Sequence, residues 1–223
     1  MPAAPGSRPV VALSADLLSS RAASERRQLA ARIEATLAAV NEAWRGHWVA
    51  PLESTRGLDE VSGVLATRRP AFDVVTTVNV ALWPHRFRFA IADGTLDVVG
   101  ERGRASDMDG PAFHRTADAL ARARRDGLPM ALALAHGDAT ELRMAEALAA
   151  LHHTLVAGWT PTIARAIQLH RPPGGPALTQ AEVARELGNT QQAVSDAHRR
   201  GHLKTLVQAE DALRAWLARE DER

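Results

Sequence analysis

Two groups of residues have the types and spacing to do chemistry. The first is acidic. Asp16 follows the apolar run Val10-Val11-Ala12-Leu13-Ser14-Ala15, and Asp59-Glu60 stands between two further apolar segments. Carboxylates delivered from neighbouring strands are a common means of holding Mg²⁺ against a triphosphate. On that reading Asp16 and Asp59 form a metal pair with Glu60 in reserve, and the chemistry is nucleotide binding, nucleotidyl transfer or nucleotide sensing. Phosphates also need cations, and this part of the chain has no lysine, so Arg21, Arg56 and Arg104 are the substitutes. The other reading makes Asp16 a turn or capping residue and Asp59-Glu60 a solvated hairpin tip.

The second group lies in Gln180–Gly201, QAEVARELGNTQQAVSDAHRRG. Two helices that cross closely need a small residue at the contact, and Ala184 supplies it. The turn between them needs a residue tolerant of left-handed backbone, and Gly188 stands four positions on. Val194 faces the first helix from the second, while Val183, Leu187 and Ala197 complete a buried wedge. Thr179 or Leu178 starts the first helix, and Asn189 or Thr190 caps the second. This is the pattern of a helix-turn-helix. The second helix then offers Thr190, Gln191, Gln192, Ser195, His198, Arg199 and Arg200 to double-stranded DNA. Gln pairs with adenine, whereas Ser, Thr and Arg suit phosphates or guanine. Between 160 and 207 six Lys or Arg stand against three acidic residues, a local balance of +3. An ordinary helical hairpin that binds protein is the competing reading.

Other constellations are weaker. His198 and His202 are spaced i, i+4, but Arg199 and Arg200 beside them favour phosphate contact or simple exposure over a shared metal. His152 and His153 are adjacent and point to different faces of a helix. Ser14, Ser19 and Ser20 have no evident base, and Gly100, Gly103 and Gly110 do not match a phosphate-cradling spacing.

The elements that must position these groups follow from periodicity. Val10–Ala15 is a short buried strand. Leu29, Ile33, Leu37, Val40 and Trp44 recur in 4-4-3-4 steps, one face of a long helix. Strands are expected at Trp48–Thr55 and Val61–Ala66, joined through Gly57, and a helix from Pro70 to near Pro84. Arg86–Ile91 alternates as a strand. A loop over 95–110, with a short strand at Leu96–Val99, leads to a helix from Pro111 and a strand from Met130. The order β-α-β-β-α-β-α-β predicts one sheet with helices on one face, its first six elements in ferredoxin-like order. From Asp138 onward only helical patterns appear, at 141–157, 161–170 and 205–219. The long last helix leaves no room for a winged variant.

Composition narrows the classes. The 223 residues suit two small domains, with 46% hydrophobic and 24% charged residues. Of 27 basic residues only Lys204 is a lysine, a coding bias rather than chemistry. A net charge of +1 gives no global attraction to nucleic acid or an anionic membrane, so affinity for DNA must be local. Without cysteine there are no disulfides, no thiolate catalysis and no Cys-based zinc sites. No secretory signal or membrane span is visible, which makes the cytoplasm the expected location.

Several segments together resemble the SatD family of bacterial proteins. They are Asp16-Leu17-Leu18-Ser19-Ser20-Arg21, Leu58-Asp59-Glu60-Val61 and Met108-Asp109-Gly110-Pro111-Ala112-Phe113, with the C-terminal helix-turn-helix. The family tends to show Gly-Asp-Glu-Phe where this chain has Leu58-Asp59-Glu60-Val61, so the likeness departs at Leu58 and Val61. The resemblance implies an arrangement more than an activity. The architecture expected is α+β: a flexible tail over 1–9, a ferredoxin-like or palm-type domain over 10–137, a connecting helix over 138–158 and an all-α helix-turn-helix domain over 159–223. The function expected is a dimeric DNA-binding regulator with a sensor or dimerisation domain and a small-molecule or nucleotide effector. It needs no cofactor, with Mg²⁺ called for only if the palm-type reading holds.

Overall fold

Alternation along one central strand sets the layers of this molecule. In strand β1 (Val10–Leu17), Val11, Leu13 and Ala15 face one way, and Val10, Ala12, Ser14 and Asp16 face the other. Successive side chains on a strand point to opposite faces, so β1 belongs to a sheet covered on both sides. The computed structural model describes residues 9–18, 23–57, 59–97, 103–135 and 138–221. The tail over 1–8, Ser19-Ser20-Arg21, Leu58, the Val98-Val99 end of the strand expected near Leu96 and the side chain of Arg56 lie outside the described residues.

The sheet has five strands in the order β2-β3-β1-β4-β5. Here β2 is Trp48–Arg56, β3 Glu60–Leu65, β4 Phe87–Gly94 and β5 Met130–Ala133. The first four are antiparallel neighbours in ferredoxin-like order, and β5 lies parallel to β4 at the edge. Helices α1 (Ala23–Ala43) and α2 (Ala71–Leu82) cover one face. Their apolar stripes, Leu29, Ile33, Leu37 and Val40 on α1, and Phe72, Val75 and Val78 on α2, meet Leu13, Phe87, Phe89 and Ile91 in the main core. Two asparagines finish the docking. Asn41 of α1 donates to the Leu52 carbonyl and accepts from its N–H, both at 2.9 Å. Asn79 of α2 does the same for Phe87, at 3.1 and 2.8 Å.

Helices on one face alone were expected; the structure puts them on both. Helix α3 (Pro111–Asp126) packs on the opposite face, where Ala12, Ala90 and Ala131 present small side chains to Ala112, Ala119 and Ala123. A side chain at Gly94 would collide with the Ala112 nitrogen at 2.7 Å, so glycine permits that approach. The face under α2 is already filled at its β5 end by α4 (Ala139–Ala157), which leaves α3 the other side. The crossovers β3–α2–β4 and β4–α3–β5 therefore have opposite hands, since both join parallel strands stepping the same way across the sheet.

Buried Glu146 seats α4 against the sheet edge. It accepts from the Leu132 N–H at 2.7 Å and from Arg122 at 3.1 and 2.5 Å, so it covers a strand edge that would otherwise be open. Beyond α4 come α5 (Pro161–His170), α6 (Gln180–Glu186), α7 (Gln191–Arg200) and α8 (Leu203–Asp221). These form a second core around Trp159, Ile163, Ile167, Val183, Val194 and Leu206. Helices α2, α4 and α8 serve both cores, with α2 giving Val78 to the first and Val80 to the second. Helix α4 gives Ala145 and Ala149 to the first and Val156 to the second, and α8 gives Leu213 and Leu217 to the first and Leu206 to the second. The connecting helix expected over 138–158 thus packs into both cores.

Candidate functional site

The α6–α7 pair is built from local rules. Thr179 caps α6: its hydroxyl accepts from the Glu182 N–H, and the Glu182 carboxylate accepts from the Thr179 N–H at 2.7 Å, a reciprocal box. Gly188 turns the chain with φ +58°, a left-handed conformation that glycine adopts without strain. The Asn189 N–H then reaches back to the Ala184 carbonyl at 2.9 Å. Thr190 caps α7 through the Ala193 N–H at 3.1 Å. Val183, Ala184, Val194 and Ala197 are buried where α6, α7 and α5 meet, with Leu187 packed at the margin. Trp159 donates to the Gly201 carbonyl at 3.0 Å and fixes the far end of α7.

This packing leaves one side of α7 in water. Gln191, Gln192, Arg199 and Arg200 are exposed, Thr190 is exposed, and Ser195 and Asp196 are half-buried. The Asp196 carboxylate accepts from Arg199 at 3.0 Å. That bond, aided by the Arg199 charge and a hydrogen bond from Gln192, holds Asp196 below the usual carboxylate range.

His198 is a correction. Expected on the outward face, it is buried instead, its ring 4.8 Å from that of His170 on α5. Burial, then the neighbouring His170, push it towards the neutral form. The helical period carried that information: 198 is four residues beyond buried Val194 and so belongs to the inner stripe.

The acidic pair is not assembled. Asp16 projects from the α3 face of the sheet, where its Oδ2 meets Arg124 of α3 at 3.0 Å and Arg88 of β4 at 3.6 Å. Glu60, opposite Asp16 in the β1–β3 register, is also within 3.7 Å of Arg124. Asp59 stands one position further on and turns to Arg26 of α1, on the other face, at 3.5 Å. The residue expected to pair with Asp16 is displaced by the period of the strand, and two guanidiniums occupy the space a cation would need. Arg104, a candidate for phosphate, binds Glu53 at 3.0 Å. Among the described residues no three His, Asp or Glu side chains are grouped so as to hold a metal ion.

Composition gave no signal for the polar cluster behind the second core. Glu210 of α8 is buried and accepts from Arg171 at 3.0 and 2.5 Å, with His152 Nε2 2.9 Å from its Oε1. Burial pushes this carboxyl up, but hydrogen bonds from His152 and Arg171 outweigh it and bring it down to about 2. Beside the cluster a cleft of about 320 Å³ opens between α2 and the loop 172–175, lined by Trp44, Asp73, Arg171 and Arg214. Arg214 is itself held by Asp73 through two bonds of 2.7 Å. The only large apolar side chains strongly exposed among the described residues are Met144 and Leu151, both on α4, beside Leu148 and Trp216.

No helix among the described residues is long and apolar enough to cross a membrane. No curated protein matches the chain. One family model matches residues 10–211, from β1 into α8: the chain belongs to the SatD family.

Proposed function

We propose that this protein is a DNA-binding regulator acting in the cytoplasm, with α6 and α7 as a helix-turn-helix and α7 as the helix that enters the major groove. The observation that carries the reading is the division of α7. Val194 and Ala197 are locked into the core, while Gln191, Gln192, Arg199 and Arg200 stand free of it on a capped helix. A major groove about 12 Å wide accepts such a helix, and amide and guanidinium side chains are the usual readers of base edges there. Metal-dependent nucleotide chemistry lacks comparable support, because Asp16 is met by arginines and Asp59 faces away.

The local charge is modest, so one copy would bind weakly and a symmetric dimer is the working form. Met144 and Leu151 on α4 are the surface offered to the second copy, since exposed apolar groups concentrated on one helix mark an interaction surface. The cleft beside Arg171 and Arg214 is the place for a small-molecule effector, as it lies where the sheet layer meets the helical half. The test is a titration of wild type and the Arg199→Ala/Arg200→Ala double variant with duplex DNA at several salt concentrations. The double variant is expected to bind about tenfold or more weakly, with a salt slope lower by about 2. Unchanged affinity and slope would remove α7 as the contacting helix.

A further inference from the structure

We infer that Asp196 is a positioning residue of the DNA-reading face, holding Arg199 in orientation so that it reads a base rather than wanders over phosphates. The inference rests on α7 being the groove-entering helix. Gln192, Asp196 and Arg199 fall at i, i+4 and i+7, one stripe along the exposed side of α7. Arg199 donates to Asp196 at 3.0 Å. At 1.5 Å of rise per residue the stripe is about 10 Å long, close to three base-pair steps.

A carboxylate in this place is costly for a protein that only needs to stick to DNA. It repels every phosphate alike, in a region whose net charge is only +3. It also spends part of the Arg199 fork within the protein. What it gives in return is order. A long side chain that is already aligned loses less freedom on docking. Discrimination between sequences therefore rises while affinity for any one duplex falls. Asp196 is half-buried and outside the core, so replacing it leaves the fold in place.

The experiment uses the full chain. Wild type first enriches duplexes from a random-sequence library, and fluorescence anisotropy then gives Kd for the enriched and the random duplex. Asp196→Ala is expected to bind random duplex about fivefold more tightly, while the random-to-enriched Kd ratio falls about tenfold or more. Asp196→Asn, which keeps an acceptor but not the charge, is expected to restore most of that ratio. A wild-type ratio in Asp196→Ala overturns the inference and leaves the DNA-binding reading standing, as does no recovery in Asp196→Asn. An equal loss on both duplexes marks a structural role and also overturns it. If wild type binds no duplex and enriches nothing, the reading of α7 falls and this inference with it.

Discussion

Glu210 of α8 and Arg171, the residue that ends α5, form a two-pronged ion pair at 3.0 and 2.5 Å, with Glu210 fully buried. Removing one partner of a fully buried pair costs about 3–5 kcal/mol, and less is expected here because the stranded Arg171 is half-buried and can be hydrated. Glu210→Ala is still expected to lower the urea midpoint by more than any surface Glu→Ala variant of the chain. Urea unfolding at pH 7 followed by tryptophan fluorescence reads it directly.

The same carboxyl predicts an acid limb. Its folded value, about 2, lies below the ordinary one near 4.5, so the unfolded chain binds the proton first. The stability it contributes is complete above about pH 4.5 and is lost as pH falls towards 2. Stability measured from pH 6 to pH 2 should decline more steeply in wild type than in Glu210→Gln, which carries no ionisable group there. Parallel curves for the two proteins would disprove it.

His153 should behave as a neutral ring through most of the acid range. Burial, then the charge of Arg86, bring it down to about 4 from 6.5, and its Nε2 lies 2.8 Å from the Arg86 guanidinium. Here the folded state binds the proton later than the unfolded one, so stability is complete above about pH 6.5 and falls as pH drops towards 4. NMR titration of the ring protons is expected to place the His153 midpoint at about 4. A midpoint near 6.5 would refute the assignment.

Asn79 is expected to be intolerant of change although it touches no candidate site. Its amide satisfies both backbone groups of Phe87 inside the core, so Asn79→Ala leaves a buried donor and a buried acceptor unpaired, at about 1–3 kcal/mol for each group. Asn41→Ala, clamping Leu52 at a half-buried site, should cost less. Thermal melts of the two variants give the order.

What the sequence disclosed depended on how local its cause was. The 4-4-3-4 spacing from Leu29 to Trp44 placed the inner stripe of α1, and Ala184, Gly188 and Val194 placed the α6–α7 wedge, because each is a matter of neighbours within a turn or two. The position of α3 was not legible, since its amphipathic pattern gives the side of the helix that is buried but not the face of the sheet that receives it. Nor were the partners of Asp16. Arg124 is 108 residues away and meets it only because α3 crosses back over β1. The place of His198 was legible in the helical period, but its polar type and its neighbours Arg199 and Arg200 pointed outward.

The sharing of α4 and α8 between two cores bears on how this chain can be dissected. Severed at Ala157, a C-terminal fragment would carry Leu213, Leu217 and Trp216 stripped of the side chains they lie against, while the remainder would lose part of its own interior. Neither piece is then an independent unit. Heating should melt the intact chain in one step, and a fragment expressed alone should aggregate.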